Sequence, residues 1–202
     1  MPINAQGYFN ALRSYLNLAH YGVTETEGGR IVLKDKVYPA GASDPIDQKV
    51  KLVVPGAALV INLDKKIRGR NESHPLFHFL DDNAKPWSKR CDYVIFHLHS
   101  DEVHVHCIEF KSATLPPGLV DQLNSGEAWC KALHSTLKHY TGEEREIFLT
   151  KFVLSCHPDP TTYLDPEGKY LLRDHTIRHY LYQDIEGLSL DALDNTNIES
   201  IS

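Results

Sequence analysis

No apolar run in the chain is long enough to cross a membrane, and its start lacks the basic, apolar and small-residue pattern of a secretory signal. Those absences predict a cytoplasmic protein. There is no Cys-x-x-Cys pair: Cys91, Cys107, Cys130 and Cys156 stand far apart, inside segments that read as strands and a helix. That pattern argues against a disulfide framework and predicts buried free thiols. There is no internal repeat, and no biased segment beyond an acidic end. A basic excess is also missing. With 21 Lys and Arg against 27 Asp and Glu, the net charge is −6, which weighs against binding nucleic acid by overall charge.

The distribution of charge matters more than its sum. From Gln183 onward there are five acids and no base, so an acidic tail over about 183–202 holds much of the excess. Lys65, Lys66, Arg68 and Arg70 cluster beside Gly69 and Asn71, in what reads as a loop. Such a loop is a candidate contact for a phosphate backbone, or else a solvated surface. A length of 202 residues with 42% apolar content suits one globular domain spanning 1–202, with its core over about 50–156.

Apolar positions at Tyr8, Phe9, Leu12, Tyr15, Leu16 and Ala19 predict an amphipathic helix over 6–20. Strands are expected at 30–33, 51–54 and 57–63. Beyond Pro116-Pro117-Gly118, the spacing of Leu119, Leu123, Trp129, Cys130, Leu133 and Leu137 predicts a second helix ending near Gly142. On that helix Gln122 falls at the edge of the apolar stripe, facing inward or towards a cleft, and Lys131 falls on the solvated side. The near-continuous apolar run 147–156 predicts a strand buried on both faces. Strand, helix, strand at this spacing is a crossover with parallel pairing.

The most informative stretch precedes that helix. Arg90-Cys91-Asp92-Tyr93-Val94-Ile95-Phe96 and Val105-His106-Cys107-Ile108-Glu109-Phe110-Lys111 read as two strands of a hairpin. With Asp101 and Glu102 as the turn residues, His99 faces His104, His97 faces His106, Val94 faces Glu109 and Asp92 faces Lys111. Directly paired residues share a face, so Asp92, Glu109 and Lys111 converge at one end. Two close carboxylates repel unless a cation neutralises them. Hard oxygen donors suit Mg²⁺ or Mn²⁺, and a nearby Lys can orient a water or stabilise phosphate charge.

Asp92 followed seventeen residues later by Glu109-Phe110-Lys111, with a helix opening Val120-Asp121-Gln122-Leu123, resembles the PD-(D/E)xK nuclease superfamily. The resemblance covers roughly 92–156. It implies an α/β fold with a restriction-endonuclease-like αβββαβ core, a mixed central sheet flanked by helices. It implies a Mg²⁺-dependent (or Mn²⁺-dependent) deoxyribonuclease in restriction, repair or phage defence. Asp92, Glu109 and the Phe110 backbone carbonyl would hold the metal, Lys111 would assist the attacking water, and Gln122 would line the cleft. The implied partner is nucleic acid, DNA first. A homodimer or a larger protein complex is compatible with it. Members of the superfamily often carry a further acid on the first core helix. The N-terminal helix here has none, which leaves Glu25, Glu27, Asp64 and Glu72 as candidates. Gly126 stands where a RecB-like subgroup has Tyr, so that subgroup is not indicated.

Twelve histidines are unusual, and four of them, His97, His99, His104 and His106, fall on the hairpin face opposite the acids. They read as a polar, exposed hairpin tip, with Zn²⁺ binding through neutral imidazoles as the alternative. Three functional classes therefore stand: the nuclease, a non-catalytic subunit or adaptor of the same fold, and a His-rich metal-binding protein.

Overall fold

Among the described residues, ten strands and three α-helices follow one another in the order α1 (Ala5–Tyr15), β1 (Gly22–Glu27), β2 (Arg30–Val37), β3 (Ile46–Val53), β4 (Ala57–Asn62), β5 (Tyr93–His99), β6 (Glu102–Lys111), α2 (Gly118–Thr141), β7 (Ile147–Ser155), β8 (Tyr170–Leu171), β9 (Asp174–Leu181), α3 (Tyr182–Ile185) and β10 (Glu199–Ile201). The computed structural model describes residues 4–27, 29–38, 43–70, 72–81, 83, 86–112, 114–157 and 159–202. Asn71 and the side chains of Glu25 and Glu27 lie outside that description. No described helix is long and apolar enough to cross a membrane.

The fold is mixed α/β, with a mostly antiparallel central sheet flanked by helices. Its strand order is β1-β4-β5-β6-β7-β9-β8, and β10 pairs with the early part of β7. Among the described strand pairs, β6–β7 and β7–β9 are parallel and the rest antiparallel. The β6–β7 pairing is the crossover expected from the strand-helix-strand pattern, and α2 makes the connection. α1 opens on Asn4, whose side chain accepts a hydrogen bond from the Gly7 N–H, and it ends at Tyr15, short of the expected 20. α2 stops at Gly142, whose positive φ forms the left-handed cap.

Each sheet face buries its own core. On one face Tyr8, Phe9 and Leu12 of α1 and Leu119, Leu123 and Trp129 of α2 pack on Val94, Phe96, Val105 and Cys107. On the other, the β2–β3 hairpin supplies Ile31, Leu33, Val50 and Leu52, which cover Tyr93, Ile95, Ile108 and Phe110. Each large apolar side chain so buried contributes about 1.5–3 kcal/mol. β7 is buried on both faces as expected, yet it carries Lys151 inside the sheet. The ammonium is held by Asn124 Oδ1 and Glu127 Oε2, both at 2.9 Å, and lies 3.8 Å from Asp174. Lys131 is not simply solvated, because it pairs with Glu127 and Glu199 at 2.6 Å each.

Several expectations need correction. The hairpin turn is Ser100-Asp101, not Asp101-Glu102, and both residues have positive φ, 50° and 65°. That geometry suits a two-residue turn matching strand twist, and Asp tolerates it better than Glu. The pairs are therefore His97 with His104, Ile95 with His106, Val94 with Cys107 and His99 with Glu102. The acidic segment 183–202 is not a tail. It folds as α3, a short turn and β10, and it buries Ile185, Leu190 and Ile201. Cys91, Cys107 and Cys130 are buried free thiols, but Cys156 is exposed just past β7.

Candidate functional site

Asp92 immediately precedes β5, and Glu109 stands near the end of β6. One step beyond the Tyr93–Ile108 pair of the ladder, the two acids face each other directly. Each carboxylate grips the other's strand. The Asp92 N–H donates to Glu109 Oε2 at 3.1 Å, and the Phe110 N–H donates to Asp92 Oδ2 at 2.7 Å. The Asp92 carbonyl accepts from the Leu63 N–H, which ties the end of β4 to the same place. The corrected turn shifts the pairing by two residues on one strand, so the side chains keep their face. It replaces the expected Asp92–Lys111 pair with an Asp92–Glu109 pair and draws the two acids closer.

Lys111 donates through Nζ to Glu109 Oε1. Its carbonyl accepts the Tyr182 hydroxyl at 2.8 Å, so the start of α3 braces this strand end. Glu109 is almost fully enclosed, with its side chain 1% exposed against 18% for Lys111. Burial pushes the Glu109 carboxyl up to about 7 against the pull of the Lys111 ammonium. Burial, then the charges of Glu109 and Asp35, hold the Asp92 carboxyl well above its usual range. Both shifts are led by burial, which favours the protonated carboxyls.

Asp35 is a site residue that the sequence did not reveal. It sits on the inward face of β2 between Leu33 and Val37, and it interacts electrostatically with Lys111, Asp64, Asp92 and Glu109. Tyr93 sets its position: the Tyr93 hydroxyl accepts from the Lys34 N–H and donates to the Lys34 carbonyl at 2.6 Å. Burial raises the Asp35 carboxyl, and Lys111 opposes the shift. Asp64, one of the four acids considered from sequence, lies within this field. Its carboxylate is held by Lys66 and Ser73. Glu72 is exposed. The link from Asp35 to the acid pair is tertiary, made when the β2–β3 hairpin folds over the sheet, and no local pattern announces it.

Gln122 does reach this end of the sheet. Its Nε2 donates to the Arg90 carbonyl at 3.1 Å, two residues before Asp92. The basic residues lie beyond β4 at the same end. Lys66 is paired with Asp64 and Lys65 donates to the Tyr21 carbonyl, while Arg68 and Arg70 are exposed. Among the described residues, no three His, Cys, Asp or Glu side chains stand together at metal-holding spacing. Asp92 and Glu109 are therefore a two-carboxylate arrangement, with Asp92 Oδ1 and Glu109 Oε1 as the oxygens not committed to backbone N–H groups.

The hairpin histidines are not an exposed tip. His97 and His106 are 1% and 6% exposed. With His99 and His104 they line a cavity of about 430 Å³, closed on its far side by Leu190, Asp191 and Asn195. Burial drives the His106 imidazole down to about 3 and lowers that of His97. A scan against protein-family models, a search of curated proteins and a search of solved structures return no match to this chain.

Proposed function

We propose that the chain is a Mg²⁺- or Mn²⁺-dependent phosphodiesterase of the PD-(D/E)xK type, acting on DNA. The single observation that carries this reading is the Asp92–Glu109 pair. Two mutually anchored carboxylates stand at adjacent strand ends with Lys111 beside them, at the end where the 65–70 basic loop leaves β4. The order α1, β4-β5-β6 meander, α2, parallel β7 is compatible with an αβββαβ core.

The residues fit the cation. Mg²⁺ is commonly held by one or two carboxylates together with water and substrate phosphate, not by a full protein cage. Asp92, Glu109 and the Phe110 carbonyl would hold it, and Asp35 adds negative potential nearby. When bound, the cation supplies Lewis-acid polarisation of the scissile phosphate. Lys111, freed from Glu109, places positive charge where the phosphate charge develops and orients the attacking water. Gln122 fixes the backbone before Asp92, and Arg68 and Arg70 are the phosphate-backbone contacts.

The near-complete burial of Glu109 favours a second reading, a non-catalytic subunit of the same architecture. One assay separates the two. Purified protein is incubated with supercoiled plasmid, linear duplex and single-stranded DNA in Mg²⁺, Mn²⁺ or chelator. The expected result is cleavage that needs the cation and falls at least about 100-fold in Asp92→Ala and Lys111→Ala. Cleavage that survives in both variants, or none on any substrate, would overturn the catalytic reading.

A further inference from the structure

We propose that the histidine-lined cavity between the β5–β6 hairpin and residues 190–195 is a transition-metal site of the Zn²⁺ class, separate from the acid pair. His97 and His106 supply its first two nitrogens, and His99 and Asp191 close it. The inference does not rest on the nuclease reading, since the cavity lies on the opposite face of the sheet.

The hydrogen bonds fix which nitrogen each imidazole offers. His97 Nε2 lies 2.6 Å from the Pro55 carbonyl, which can only accept, so Nε2 carries the proton and Nδ1 keeps its lone pair. His106 Nδ1 lies 2.8 Å from Thr150 Oγ1, and that hydroxyl has the Val105 carbonyl as an acceptor at 3.4 Å. With the hydroxyl proton turned to Val105, His106 Nδ1 donates and Nε2 is the bare acceptor, the tautomer that metal binding requires. That Nε2 is buried with no hydrogen-bond partner, in a residue that lines the cavity. A buried, unpaired acceptor is costly, and a ligand for it removes the cost. Imidazole oriented by a hydrogen bond from its other nitrogen is how metal-binding histidine is usually presented.

The spacing and the charge point the same way. The rings of His97 and His106 have centroids 6.2 Å apart, and those of His97 and His99 are 5.6 Å apart. Two imidazoles on one tetrahedral ion at about 2.0 Å would bring their centroids to about 5 Å. The pairs are thus slightly open. Because no three groups already stand at metal-holding spacing, His99 and Asp191 must swing inward, and the cavity gives them room. Asp191 interacts electrostatically with both His97 and His99. An anion is disfavoured, since the site offers a carboxylate and two imidazole lone pairs. His104 is not assigned to the ion. Its Nε2 is 3.0 Å from Glu102, and its ring packs on Phe148.

The test is titration of the untagged, chelator-stripped protein with Zn²⁺ by calorimetry, and with Co²⁺ followed by its visible absorption. One equivalent should give the intense visible band of a tetrahedral Co²⁺ centre, which the carboxylate-and-water acid pair does not give. His106→Gln and His99→Ala should each weaken binding at least about tenfold. His78→Ala, at an exposed position away from the cavity, should give the same Co²⁺ band as wild type. His99 is only partly buried, so its variant decides the matter if His106→Gln fails to fold. No tetrahedral Co²⁺ band, an undiminished band in His99→Ala, or loss of the band in His78→Ala would overturn the proposal.

Discussion

Glu109 is a carboxyl kept near neutrality by burial, and that gives the site a pH signature. Its ordinary value of 4.5 is raised to about 7 in the folded chain. The folded state therefore holds a proton that the unfolded state releases between those values. The favourable contribution is complete below about 4.5 and is lost as pH rises through about 7. His106 and His179 act in the opposite sense, being lowered to about 3 and about 4 mainly by burial. Their contribution is complete above about 6.5 and is lost as pH falls through those lower values. The two effects overlap, so the shape of the wild-type curve alone is uninformative. The difference between wild type and Glu109→Gln removes the histidines, which both proteins share. Urea unfolding at pH 5 through 8 should show Glu109→Gln gaining on wild type as pH rises, by up to about 3 kcal/mol. Parallel curves would mean that Glu109 is not held neutral by the fold.

At the scale of elements, the closest fit is between α2 and the β5–β6 hairpin. Gly126 lies in the middle of α2, where glycine normally costs about 1 kcal/mol against alanine. A Cβ there would stand 2.4 Å from Cys91 Sγ and 3.5 Å from Cys107 Sγ. The glycine lets the helix rest on the two thiols directly above the strand that carries Glu109. Gly126→Ala should therefore destabilise the chain by about 1–3 kcal/mol despite its better helix propensity. Cys91→Ala should recover part of that loss in the double variant, as a thermodynamic cycle would reveal. An unchanged or raised melting temperature in Gly126→Ala would show that the helix does not sit so close.

The crossover β6-α2-β7 was legible because its cues are local: a helical stripe, a capping glycine and a continuous apolar run. The hairpin was legible as a hairpin, but its turn was misplaced by one residue. The competing choices differ only in whether Asp101 is the first or second turn residue. That error left the face of Asp92, Glu109 and Lys111 unchanged, because both alignments keep the same alternation. β9 was not legible, since Asp174-His175-Thr176-Ile177-Arg178-His179-Tyr180-Leu181 is polar for a strand. It pairs in parallel with β7 because β7 has a free edge to fill. The burial of Lys151 was likewise hidden, as its partners come from α2 and β9.

The whole molecule places two different chemistries on one central hairpin. Asp92 and Glu109 bring hard carboxylate oxygens to one face at one end, where β4 leads into a basic loop. Imidazoles gather on the other face, under the 190–195 segment. Asp35 reaches that pair from β2, in the hairpin that covers the other face, and Tyr182 of α3 steadies the strand end. The 183–202 segment thus belongs to the fold, which explains why its acids do not make a disordered tail.

Whether the acid pair holds a cation is read most directly from a crystal structure grown with Mn²⁺, by its anomalous scattering. The expected result is a Mn²⁺ ion within about 2.1–2.3 Å of both Asp92 and Glu109, with Lys111 released from Glu109. An intact Lys111–Glu109 contact with no ion at the pair, in crystals whose Mn²⁺ is bound elsewhere, would contradict it.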